Sequence, residues 1–160
     1  MSSQVLTTQV PVEADLAAWI RFLRAHAALT RELSVRLEAE HGLTLRDFDV
    51  LVQLHYAPER RMRRIDIART VLLSPSGITR LLDGLERAGW VSKAECKSDA
   101  RVTWAVLTDE GEAKYAAAHA THIADIDELF GTRFSDEERA QLAELLGRLP
   151  LADAGACNAA

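Results

Sequence analysis

Leu73-Ser74-Pro75-Ser76-Gly77-Ile78-Thr79-Arg80-Leu81-Leu82-Asp83-Gly84-Leu85-Glu86-Arg87-Ala88-Gly89-Trp90-Val91 decides how this chain is read. Ser74 is a preferred helix N-cap, and Pro75 suits the first helical position, where its missing N–H leaves no orphan donor. Ile78, Leu81, Leu82, Leu85 and Ala88 recur at helical spacing and form one apolar stripe. Ser76, Thr79, Arg80 and Asp83 fall on the opposite face, and Gly89 stands where a helix commonly ends in a left-handed residue. Such a helix is buried on one side and offers short hydroxyls and an arginine on the other. Those groups suit DNA, because hydroxyls reach phosphates and arginine pairs with a base edge in the major groove.

The neighbouring segments extend the pattern. Trp90 to Glu95 reads as a short strand and Val102 to Leu107 as a second, rich in β-branched and aromatic residues. Between them Cys96-Lys97-Ser98-Asp99-Ala100-Arg101 is a polar turn with two cations. Upstream, Arg64 to Val71 places Ile65, Ala68 and Val71 at helical spacing, with a tight connection through Leu72-Leu73-Ser74. Helix, turn, helix, strand, basic turn, strand is the order of a winged helix-turn-helix. Its second helix enters the major groove, and its wing reaches a neighbouring minor groove.

Residues 45–111 resemble the winged helix-turn-helix core of the MarR family of bacterial transcription regulators. The resemblance lies in Ile65-Asp66-Ile67-Ala68, Leu73-Ser74, the run Ile78 to Gly89, Asp99-Ala100-Arg101 in the wing, and Leu107-Thr108-Asp109-Glu110-Gly111. With the flanking helices it covers roughly residues 13–150. It implies a mainly α fold with a small β-wing, flanked by long N- and C-terminal dimerisation helices, in a triangular homodimer. It implies a repressor on a near-palindromic double-stranded operator, released by a small aromatic or phenolic ligand. It also implies that Asp99 orients Arg101, which enters the minor groove. Some members of the family sense peroxide through a cysteine early in the first long helix, and this chain has none there.

Bulk properties agree with a regulator of this type. The chain has 160 residues, 48% hydrophobic and 27% charged, which is the composition of a globular domain with a real core. The net charge is −5, yet residues 60–104 hold ten Lys or Arg against five Asp or Glu. A basic patch on an acidic body still binds DNA, because phosphate contacts act within a screening length of roughly 10 Å. No apolar run approaches the ~20 residues of a membrane helix, and no secretory signal stands at the N-terminus. A cytoplasmic protein with no membrane partner is expected. Cys96 and Cys157, 61 positions apart, make neither a zinc site nor an expected disulfide. There is no glycine-rich phosphate loop, no Gly-x-Ser-x-Gly elbow and no metalloprotease His-Glu pair, so an enzyme, a cofactor and a metal are not expected.

The organisation follows from caps and breakers. Residues 1–12 read as a flexible arm. A long helix from Glu13 to about Glu40, within a dimerisation segment 13–43, carries Leu16, Ile20, Leu23, Ala27, Thr30, Ser34 and Leu37 on one face, more apolar surface than one small domain covers. Gly42 stops it. Thr44 caps a helix from Leu45 to Tyr56 with Asp47 at the capping-box position, opening the DNA-binding lobe 44–111. Pro58 and the Arg60–Arg64 cluster link its halves. Thr108 caps a helix from Asp109 to about Phe130, Gly131 interrupts, and Ser135 with Glu138 caps a last helix from Asp136 to Leu149, stopped by Pro150. Residues 112–150 thus form the C-terminal dimerisation helices, and 151–160 a flexible tail.

The candidate DNA contacts are Ser74, Ser76, Thr79, Arg80 and Arg87 on the reading helix, with Lys97, Ser98, Asp99 and Arg101 on the wing. A solvated helix face is the plain alternative for the first group. The Arg60–Arg64 cluster is either a backbone contact or a solvated linker. Trp19, Phe22, His26, Phe48 and His55 are candidate ligand-binding residues, since aromatics with a few polar groups suit a small aromatic molecule; they are equally ordinary core residues. His119, His122 and Asp125 lie a turn apart on one helix, a spacing that could hold a metal but more commonly marks a polar helix surface. Two other readings are a redox regulator using Cys96, whose neighbour Lys97 would favour thiolate, and a winged-helix protein-interaction module that never touches DNA.

Overall fold

The computed structural model describes residues 16–71, 75–96 and 99–149, with backbone alone at 75, 95–96 and 99–102. In chain order the described elements are α1 (Ala17–His41), α2 (Leu45–Tyr56), β1 (Arg61–Arg63), α3 (Arg64–Thr70), α4 (Pro75–Arg87), β2 (Val91–Cys96), β3 (Asp99–Leu107), α5 (Asp109–Leu129) and α6 (Asp136–Leu146). Three-ten turns occupy Pro58–Arg60 and Gly131–Arg133. The expected arm 1–12, the tail 151–160 and Pro150 lie outside the described residues. So do residues 13–15, the expected start of the first helix.

Two compact units are formed, by the residues up to Glu32 and by those from Leu33. In the first, Leu16 and Leu23 of the expected apolar stripe are exposed, as are Trp19 and Phe22, while Ile20 is half-buried. The second holds one core. Leu37, Leu43, Phe48, Val50, Leu51, Leu54, Ile67, Ala68, Ile78, Leu82, Leu85, Val91, Ala105, Leu107, Tyr115 and Ala118 are buried together there. Truncating one of its leucines or isoleucines to alanine costs about 2–5 kcal/mol.

Caps set the helix boundaries. The Thr44 hydroxyl accepts from the Asp47 N–H while the Asp47 carboxylate accepts from the Thr44 N–H, the reciprocal pair that the spacing predicts. Ser135 and Glu138 repeat it at α6. That helix ends at Leu146, three residues before the expected Leu149, because its end tightens: the Arg148 and Leu149 N–H groups reach Leu145 and Leu146, three residues back rather than four. In α3 the buried residues are Ile67 and Ala68. Ile65, expected on the buried face, is 57% exposed, because Ile67 takes the inward position in this short helix. Tyr56, the last residue of α2, is also exposed.

The sheet is antiparallel in the order β1-β3-β2. Val91 pairs with Leu107, and Arg61 with Val106. The hairpin strands run further than expected, to Cys96 and from Asp99, so residues 96 and 99–101 of the expected turn are strand and only 97–98 remain between. β1 falls in the expected linker. Three residues, Arg61-Met62-Arg63, are too few to show a strand period, and the unpaired edge of β3 makes them a strand.

The C-cap of α4 fastens it to the strand and helix downstream. Gly89, at φ +77°, gives its N–H to the Glu86 carbonyl, and the Trp90 N–H reaches Leu85, which is the Schellman closure. The Thr108 hydroxyl donates to the Gly89 carbonyl at 2.7 Å, and the Thr108 N–H donates to the Trp90 carbonyl at 3.1 Å. The same hydroxyl accepts from the Gly111 N–H as the N-cap of α5. One threonine thus joins the end of α4 to the start of α5.

Candidate nucleic-acid interface

On α4, Ile78, Leu82 and Leu85 are buried, and Leu81 packs against the core from one side. Ala88, expected to complete the stripe, lies beyond the last helical residue and is exposed. Ser76 and Arg80 are exposed on the face opposite the stripe, where the sequence places them, Arg87 is exposed on that face as well, and Asp83, expected there, is half-buried. Thr79 differs. It is half-buried, and its hydroxyl accepts a hydrogen bond from the Arg64 guanidinium. Thr79 stands a quarter-turn aside from the exposed crest, where α3 reaches it.

Asp83 puts a negative charge beside that crest, and three cations offset it. Lys93 Nζ, from β2, lies 2.8 Å from the Asp83 carboxylate and 2.7 Å from that of Glu86. The Lys93 hydrogen bond and charge, with the charges of Arg64 and Arg87, hold the Asp83 carboxyl below the usual carboxylate range. Arg87 Nε also donates to the Asp83 carbonyl at 3.2 Å. The exposed crest therefore keeps a cationic character despite an aspartate at its flank.

Of the wing, Lys97 and Ser98 lie outside the described residues, as does Ser74 before α4. Asp99 and Arg101 are placed as backbone, within β3. The Arg60–Arg64 cluster is engaged within the chain. Arg60 reaches Asp109 at 3.3 Å, Arg61 pairs with Glu59 at 2.8 Å and lies 5.1 Å from the Trp104 ring, and Arg63 pairs with Asp66 at 2.6 Å. These cations shape the lobe as well as its potential.

The five candidate ligand residues divide between the two units. In the first, Trp19, Phe22 and His26 follow one another along α1, with ring centroids 6.3 and 6.4 Å apart. In the second, Phe48 is a core residue, packed against the rings of Tyr115 and His122. His55 Nδ1 lies 2.9 Å from the Glu112 carboxylate, and its ring stacks on Tyr115 at 4.2 Å. Among the described residues no group of three His, Cys, Asp or Glu could hold a metal. Asp125 is taken by Arg36, at 2.8 Å. His122 has its Nδ1 buried with no hydrogen-bond partner among the described residues, and burial pushes its pKa down. Among the described residues no helix is long and apolar enough to cross a membrane.

Sequence reasoning assigns no role to Lys93 and misses the part that Arg64 plays toward Thr79. Both contacts join different elements, and spacing along the chain carries no sign of them.

The profile of the MarR family matches residues 43–103. The regulator MhqR of Bacillus subtilis is 28% identical over 87% of this chain and 93% of its own length. The regulator PecS of Dickeya dadantii is 32% identical over 69% of this chain and 67% of its own length. Among solved structures, the MarR-family regulator Sco3205 of Streptomyces coelicolor, in complex with DNA, superposes with a TM-score of 0.78. It is 26% identical, and the match covers 90% of this chain and 94% of that one.

Proposed function

The chain belongs to the MarR family of transcription regulators, and from that premise we propose that it is a homodimeric, cytoplasmic repressor that binds a near-palindromic operator and is released by a small aromatic or phenolic ligand. The observation that carries the DNA reading is the single crest of Ser76, Arg80 and Arg87, exposed opposite the buried Ile78, Leu82 and Leu85. Arg80, at the centre of that crest, reads a base edge. Ser76 and Arg87 flank it and take phosphates, with Ser74 at the helix start, where amide groups favour anions. Thr79 contributes from the side of the crest. Lys97, Ser98 and Arg101, with Asp99 orienting Arg101, serve the adjacent minor groove, where a narrow groove concentrates negative potential.

The homodimer is supported by the exposed apolar residues Leu16, Trp19, Phe22 and Leu23, a surface that a second copy would cover. Two copies would present two reading helices to half-sites about one DNA turn apart. The effector reading rests on the family resemblance and on the aromatic character of Trp19, Phe22, His26, Phe48 and His55. The ligand would act by favouring a dimer in which the reading helices are wrongly spaced.

The test is selection by the purified protein from a random-sequence duplex library, then titration of the enriched duplex at two salt concentrations. A palindromic consensus, a steep fall in affinity with salt and loss of discrimination in Arg80→Ala are expected. An Arg80→Ala variant that selects the same consensus as the wild type would remove α4 from the role of reading helix.

A further inference from the structure

We propose that Arg64 is a positioning residue of the reading helix, acting through Thr79: it sets the rotation at which α4 offers its crest to DNA, and so governs discrimination among sequences more than total affinity. The inference rests on the reading of α4 as the helix that contacts bases.

Arg64 is the first residue of α3. Its half-buried side chain crosses to α4, and Nη2 donates to the Thr79 hydroxyl. Asp83, one helical turn beyond Thr79 on the same side, feels the Arg64 charge as well. Further along the same flank, Lys93 of β2 holds both Asp83 and Glu86. One flank of α4 is thus gripped twice by fixed elements, near its start from α3 and near its end from β2. On the other flank a Cβ at Gly84 would meet nothing within 4 Å among the described residues. These two grips put directional polar restraint on the rotation of α4 from the Arg64 and Lys93 side. The buried stripe of branched aliphatic side chains fixes depth, but it fixes angle less tightly, because dispersion contacts have no direction.

The angle matters at the crest. A turn of about 20° carries a side-chain end at a radius of roughly 6 Å through about 2 Å, enough to break a bidentate contact with a base. Arginine suits the task, since its planar fork has a defined direction. A phosphate contact by Arg64 would make a different demand. It would add to the counterions released on binding and would be independent of Thr79.

The experiment uses the full-length protein and the duplex that the wild type enriches from a random library. Arg64→Gln, Thr79→Val and the double variant are titrated against that duplex and a scrambled one over a range of salt. Arg64→Gln is expected to lower the ratio of specific to scrambled affinity roughly tenfold, leaving the slope of log affinity against log salt unchanged. The double variant is expected to lose no more of the ratio than Thr79→Val alone, because Arg64 acts through that hydroxyl. A slope shallower by about 0.9 with the ratio intact would make Arg64 a phosphate contact and overturn the proposal; so would losses that add in the double variant. Should Arg64→Gln fail to fold, Arg64→Lys keeps the charge and stem and is expected to retain the slope while losing part of the ratio. If the wild type enriches no sequence, the reading of α4 fails first, which is a different result from an enriched duplex that Arg64→Gln binds with undiminished ratio.

Discussion

Gly111 lies directly beneath the Trp90 carbonyl, so close that a Cβ on Gly111 would stand 2.0 Å from that oxygen. The first turn of α5 therefore rests on the backbone that leaves α4, and the obstacle is main chain, which cannot swing aside. Gly111→Ala is expected to destabilise the protein by about 2–3 kcal/mol, the upper range for overpacking. Urea unfolding at fixed protein concentration reads the loss. A midpoint equal to wild type would show that α5 can lift away at no cost.

The capping boxes offer a milder pair of changes. Thr44→Ala removes the acceptor for the Asp47 N–H, and Ser135→Ala the acceptor for the Glu138 N–H. Each is expected to cost about 1 kcal/mol. Because the boxes cap different helices and their hydrogen bonds share no residue, the double variant should lose close to the sum. Thermal melts of the singles and the double check both points.

His122 gives the stability a pH dependence of definite sign. Burial, with a smaller push from His119 and against the pull of Asp125, places its pKa below the ordinary 6.5. Well above pH 6.5 the ring is neutral, folded or unfolded. As the pH falls through that value, the unfolded chain takes up the proton first and stability is lost. The unfolding free energy is therefore expected to drop between about pH 7.5 and about pH 5.5. His122→Phe keeps a ring against Phe48 and removes the unpartnered Nδ1, so it should show a smaller drop. An equal drop in wild type and variant would assign the effect to other groups.

The exposed apolar face at the start of α1 predicts an assembly effect. Trp19→Glu with Leu23→Glu is expected to convert a dimer into a monomer in sedimentation velocity, since two charges would have to be buried in each half of the interface. A dimer unchanged by both substitutions would place the contact between copies elsewhere.

The local elements are legible in the sequence because their causes are local. Thr44 with Asp47, Ser135 with Glu138, and Gly89 after an apolar stripe each act within one or two helical turns, and all stand where the sequence puts them. The crest of Ser76, Arg80 and Arg87 follows from helical period alone. Ile65 departs from expectation because a seven-residue helix gives the period too little length, and neighbouring elements choose between Ile65 and Ile67.

What the sequence determined without help was the order of the helices and the wing hairpin, the buried Ile78, Leu82 and Leu85 of α4 opposite the exposed Ser76 and Arg80, and through them the family. What only the tertiary structure decided was the set of contacts between elements distant along the chain. Arg64 on Thr79, Lys93 on Asp83 and Glu86, Arg36 on Asp125 and β1 on β3 all belong to it. A hydrogen bond or ion pair depends on a few ångströms between side chains, and a cation in a sequence looks the same whether it faces solvent, phosphate or a neighbouring helix. Packing alone fixes that distance, and here it separated Arg64, which reaches Thr79 of α4, from Arg60, Arg61 and Arg63, which pair with Asp109, Glu59 and Asp66.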